Sequence, residues 1–118
     1  MKTVTIYGIK NCDTMKKAFT WLDKAKVEYT FHDYKKQGAD AEVLKSAIKN
    51  QGWETVINRK GTTWRGLDEK TKAGVTEKSA LTLALENPSL IKRPLLVRGK
   101  DMLLGFDEAE YKLFFATK

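Results

Sequence analysis

The chain has 118 residues, of which 42% are hydrophobic and 31% charged. That is enough for one compact domain with its own core and too little for two comfortable ones, under a polar surface. With 22 basic and 15 acidic residues the net charge is +7, which makes a negatively charged partner reasonable without naming it. No apolar run approaches the roughly 20 residues of a membrane helix, and the start MKTVTIYGI lacks a long apolar stretch and a small-residue cleavage site. A single cysteine excludes an internal disulfide and agrees with a reducing compartment, so a cytoplasmic location is expected.

The first element is TVTIYGI, Thr3 to Ile9, whose β-branched and aromatic residues predict a central strand buried on both faces, with Gly8 letting the backbone turn. From Asp13 the period changes. Met15, Ala18, Phe19 and Leu22 recur at spacings of three and four and leave lysines on the other face, which predicts an amphipathic helix. VEYTFHDY, Val27 to Tyr34, alternates again and predicts a second strand, parallel to the first because a helix connects them. Asp40 caps a helix with Val43, Leu44, Ala47 and Ile48 on its face, ended by Gly52. Trp53 to Leu67 has no clean period and is expected to be a packed loop with functional content. Thr76 caps a further helix carrying Ala80, Leu81, Ala84 and Leu85, stopped at Asn87 and Pro88. Leu95 to Val97 and Met102 to Phe106 flank a turn at Gly99 and predict an antiparallel hairpin. Asp107 and Glu110 make a capping-box pair before a terminal helix with Leu113 and Phe114.

The order β-α-β, helical middle, β-β-α is that of an α/β protein with a thioredoxin-like fold. It predicts a four-stranded mixed sheet in a single domain, residues 1–118, with a helical insertion at about 38–90. In an open α/β sheet the site lies beyond the carboxyl ends of the parallel strands, and Cys12 falls there. A helix N-terminus carries roughly half a positive charge and unpaired N–H groups, both of which favour a thiolate. Lys10, Lys16 and Lys17 would add to this and Asp13 would oppose it. Thr14 is placed to donate its hydroxyl to the sulfur, next to Asn11 in the same NCDTM turn. Met15, where a two-cysteine motif would have its second thiol, begins the apolar stripe and is read as core. A thioether cannot resolve a mixed disulfide, so an adduct on Cys12 needs an external thiol, with glutathione the cytosolic candidate. Arg93 and Pro94 stand immediately before a strand, where a cis-proline facing the cysteine would bring the guanidinium to the sulfur. Arg65 is read as a surface residue or second anion contact, and His32 as an ordinary strand residue, with no metal expected.

Four segments in this order, VTIYGIKNC, NRKGTTWRGL, ENPSLIKRPLLV and GFDEAEY, resemble the arsenate reductase and Spx superfamily, and within it the YffB-like group. The resemblance spans nearly the entire chain. It implies that Cys12 matches the single nucleophilic cysteine of glutaredoxin-coupled arsenate reductases, and that Arg59 and Arg93 match two of the three arginines there. The third would fall in LLGFDE, where this chain has Gly105 and no arginine, a loss worth a few kcal/mol of oxyanion binding.

Three functions follow as expectations. The first is a glutathione-dependent thiol oxidoreductase acting on a small anionic or disulfide substrate, with Cys12, Arg93 and Arg59 catalytic. Lys10, Asn11, Thr14 and Pro94 would line the site, and glutathione would be co-substrate with no tightly bound cofactor. The second is arsenate reduction coupled to glutathione and glutaredoxin. The third is an Spx-type regulator binding RNA polymerase, which the missing Cys-x-x-Cys switch disfavours. Nucleic-acid binding ranks below these, and no membrane partner is expected.

Overall fold

The computed structural model describes residues 4–10 and 12–116. Four strands form one mixed sheet in the order β2-β1-β3-β4, with β1 Val4–Gly8, β2 Tyr29–Asp33, β3 Leu95–Arg98 and β4 Asp101–Leu104. Helix α1, Asp13–Lys24, connects β1 to β2, and the two strands pair in parallel with Tyr7 opposite His32. Strand β3 returns antiparallel on the other side of β1, with Tyr7 opposite Leu95. This places β1 in the interior of the sheet, and its buried Val4, Ile6, Tyr7 and Gly8 reflect neighbours on both edges and both faces. The four-stranded mixed sheet and its thioredoxin-like element order agree with the sequence reading. Among the described residues no helix is both long and apolar enough to cross a membrane.

The chain divides into two compact units, Met1–Tyr34 with Arg93–Lys118, and Lys35–Lys92. In the sheet unit the core gathers Val4, Ile6, Met15, Ala18, Leu22, Leu96 and Tyr111, with Cys12, Phe19 and Phe31 packed against it. Burying side chains of this size removes about 1.5–3 kcal/mol each of unfavourable apolar hydration. Gly8 has a different purpose from the expected turn. A Cβ there would lie 2.6 Å from the Met15 methyl carbon, so the missing side chain is the space that Met15 fills. The hairpin joins β3 to β4 through Gly99 and Lys100, and Gly99 has φ 63°, the left-handed conformation two-residue hairpin turns require. Helix α8, Glu108–Ala116, begins where the Asp107 carboxylate accepts from the Glu110 N–H at 3.0 Å. Its other end is tied to the hairpin: Arg98 lies 4.4 Å over the Phe114 ring and donates to the Phe114 carbonyl at 2.9 Å.

The second unit begins in the single-turn helix α2, Tyr34–Gln37, which ends the strand expected to run through Tyr34. Helix α3, Ala41–Gln51, is capped by Asp40, whose carboxylate accepts from the amides of Glu42 and Val43, and Gly52 ends it at φ 87°. The stretch expected to be loop contains two single-turn helices, α4 Trp53–Val56 and α5 Thr62–Arg65. A further short helix, α6 Glu69–Ala73, is capped by Asp68. Helices of one turn show no repeat of the apolar period, so their sequences read as irregular. Helix α7, Glu77–Glu86, has the expected Thr76 cap, closed into a box by Ser79. It buries Ala80 and Ala84, while Leu85, expected on the same face, is exposed.

Candidate active site

The site is built where β1 ends and α1 begins. Cys12 is the N-cap of α1, with extended backbone, and its carbonyl accepts the Lys16 N–H at 3.0 Å. The anion is what the surroundings of the sulfur favour. Partial burial pushes the thiol pKa up, but the Met15 amide, a hydrogen bond from Arg93, the Thr14 amide and the Arg93 charge together outweigh it, leaving the pKa below its ordinary value. Cys12 is therefore half-buried against the core and biased toward the nucleophilic thiolate.

Two corrections to the sequence reading follow. Thr14 acts on the sulfur through its backbone N–H rather than its hydroxyl, and the shift is set by two amides and one guanidinium rather than by Lys10, Lys16, Lys17 or Asp13. Lys10 is exposed. Asn11 lies outside the described residues. Met15 is fully buried, as its place on the stripe implied.

Arg93 is delivered by the Arg93–Pro94 bond, which is cis, with Pro94 fully buried at the entry to β3. The Pro94 carbonyl accepts the amide of Gly105 at 2.8 Å. Gly105 itself has φ 81°, so the segment where the sequence resemblance implied a third arginine holds a left-handed glycine whose amide binds the backbone of the proline.

A group the sequence reading missed lies at the ends of β1 and β2. Tyr7 and His32 stand ring to ring at 4.8 Å, and Tyr34 lies 6.3 Å from Tyr7 and 6.0 Å from His32. Tyr34 is buried; desolvation and the neighbouring Tyr7 raise its pKa while Arg93 pulls it back, so its hydroxyl keeps its proton. Asp33 beside it is buried too. The available signal was a polar pair ending an alternating strand, and alternation alone cannot separate a buried polar residue from a solvated one. His32 belongs to this aromatic group, and among the described residues no three of His, Cys, Asp and Glu converge to hold a metal ion.

Arg59 belongs to the other unit. It follows α4, lies 5.7 Å over the Trp53 ring and 3.7 Å from the Glu54 carboxylate, and its side chain is 48% exposed. Trp64 stands 6.3 Å from Trp53. Arg65 is a surface residue, one of the two readings expected for it, and it donates to the Lys60 carbonyl from Nη2 at 2.6 Å and from Nε at 3.2 Å, bracing its own loop.

Known proteins bear on this arrangement. A protein from Haemophilus influenzae without a characterised role is 45% identical over 113 residues, spanning 96% of this chain and 99% of its own. The solved structure of a YffB protein superposes with a TM-score of 0.91 at 53% identity, covering 94% of this chain and 97% of that one. The solution structure of an arsenate reductase (ArsC) related protein from Brucella melitensis gives 0.76 at 51% identity, covering 96% and 94%. The global transcriptional regulator Spx of Streptococcus pyogenes is 27% identical over 115 residues, spanning 96% of this chain and 85% of its own. The ArsC family matches residues 7–114, from the end of β1 through the site to α8, and the chain belongs to that family.

Proposed function

We propose that the protein is a glutathione-dependent thiol oxidoreductase that works with one cysteine. The observation that carries this is the half-buried Cys12 at the start of a 12-residue helix, its thiolate favoured by the Met15 and Thr14 amides and Arg93, in a chain with no second cysteine. The Cys12 thiolate attacks one sulfur of a disulfide, forming a mixed disulfide and releasing the other sulfur as a thiolate. A glutathione thiolate then attacks the mixed disulfide, releasing Cys12 and carrying away the first substrate half as a new disulfide. One thiol is consumed and one released, and a second glutathione attacking the new mixed disulfide completes the two-electron reduction as glutathione disulfide, with the protein returned unchanged. Arg93 holds the sulfur as the anion, and Arg59 meets negative charge on the substrate.

Intact-mass analysis after exposure to glutathione disulfide tests this. One glutathione adduct is expected on the wild type, removed by free glutathione and absent in Cys12→Ser. A wild-type protein that takes up no adduct would sink the proposal.

Arsenate reduction is the second reading, supported by 51% identity to a structure described as arsenate reductase related. Gly105 weighs against it, because the site lacks the third guanidinium that a strongly charged oxyanion would need. Turnover of arsenate with glutathione and glutaredoxin would favour this reading over the first. An Spx-like regulatory role rests on 27% identity to the streptococcal regulator. It predicts co-purification with RNA polymerase, undisturbed by Cys12→Ser.

A further inference from the structure

Arg59 opens a short loop, residues 58–61, held at several points. The Asn58 amide donates to the Leu90 carbonyl at 2.7 Å, beside the bridge between Ile57 and Ile91. The Asn58 side chain accepts the Lys60 amide at 3.2 Å, and the Gly61 amide returns to the Asn58 carbonyl at 3.3 Å. A Cβ on Gly61 would lie 3.0 Å from Asn58 Nδ2, so the Asn58 side chain packs closely over the glycine. Helix α5, which follows, is tied to the turn at Pro88–Leu90 by a 2.9 Å bond between the Thr63 and Ser89 hydroxyls. From that helix Arg65 reaches back and grips the Lys60 carbonyl with two nitrogens, at 2.6 and 3.2 Å.

Arg65 is exposed, and an exposed arginine gains little from bonding a single carbonyl that water could satisfy. Its effect is geometric. A guanidinium offers a rigid fork, and two donors on one oxygen fix both the distance and the direction of the Lys60–Gly61 peptide. The carbonyl so fixed is one residue from Arg59, which is itself aligned by the Trp53 face and Glu54. An anion-binding side chain on an otherwise polar loop loses affinity when its backbone wanders, because ordering must then be supplied on binding.

We infer that Arg65 is a positioning residue: its two-donor grip on the Lys60 carbonyl fixes the 58–61 loop so that Arg59 presents its charge in one place to an anionic substrate. This rests on the reading of Arg59 as the contact for substrate charge. Arg65 itself touches no substrate in this account.

The test compares Arg65→Met, Arg65→Lys, Arg59→Met and the double methionine variant of the full chain, after circular dichroism and melting temperature confirm folding. Hydrogen exchange at the Lys60 and Gly61 amides reads the loop. Steady-state reduction of cystine, which carries carboxylates, by two equivalents of glutathione, read as glutathione disulfide formed, reads the site. Arg65→Met should speed exchange at both amides roughly tenfold. It should raise KM about fivefold, to about the Arg59→Met value, with kcat nearly kept, and the double variant should be no worse than either single. Arg65→Lys keeps the charge without the fork and should still show a raised KM.

Unchanged amide exchange in Arg65→Met would overturn the positioning role while leaving the oxidoreductase reading intact. So would full additivity with Arg59→Met, or wild-type KM in Arg65→Lys. A wild-type KM in Arg59→Met, with Cys12-dependent turnover preserved, would instead overturn the reading of Arg59 and the functional half of this inference with it.

Discussion

Two arginines that sequence alone ranks together are used in opposite ways. Arg93, in the sheet unit, stands before the buried Pro94 and hydrogen-bonds the Cys12 sulfur. Arg59, in the unit Lys35–Lys92, is half-exposed, lies over Trp53 and near Glu54, and sits on a loop built from backbone hydrogen bonds. The first modifies a nucleophile and the second offers charge outward. The difference teaches that the guanidinium beside the sulfur rests on a close-packed framework, whereas the half-exposed one rests on polar bonds each worth about 1 kcal/mol.

That contrast can be broken most forcefully at the framework. Met15→Ala empties a fully buried position behind Cys12 and beneath Gly8, and should cost about 2–5 kcal/mol in denaturant unfolding. A loss under 1 kcal/mol, on the order of one surface bond, would mean the site is not anchored in the core. Gly105→Ala places a side chain at φ 81° and should cost about 1–2 kcal/mol by the same measurement. On the recognition side, Arg59→Met should raise KM for an anionic disulfide about fivefold, equivalent to about 1 kcal/mol, without a comparable loss of stability.

The smallest effect concerns pH. The folded-state pKa of Cys12 is depressed below its unfolded value, so its ionisation stabilises the fold above the unfolded thiol pKa, and this is lost as pH falls through the folded pKa. Cys12→Ser should therefore be less stable than wild type above about pH 8.5, and the gap should narrow at about pH 5. A gap that widens toward acid would contradict the depressed pKa.

Much of the framework was legible because its elements are long enough to show a period. The α1 stripe of Met15, Ala18 and Leu22 is buried as the spacing implies, and the caps Asp40 and Thr76 start their helices where expected. The stretch 53–73 was opaque because helices of four or five residues have no second turn in which a period could repeat. At the site, the cysteine was visible from its junction between strand and helix, but the atoms that act on it were not. Backbone amides carry no sequence signature, so Thr14 was read by its hydroxyl. Gly8 was read by its conformational freedom, while its use is the volume left to Met15. The grip of Arg65 joins a side chain to a carbonyl five residues earlier, and no local rule names that partner.

The most direct measurement of the central claim is the rate of iodoacetamide alkylation of Cys12 as a function of pH, in wild type and in Arg93→Met. The account predicts a wild-type midpoint below the ordinary thiol value of about 8.5, moved upward when Arg93 is replaced. A wild-type thiol titrating at or above that value, or a midpoint indifferent to Arg93, would contradict it.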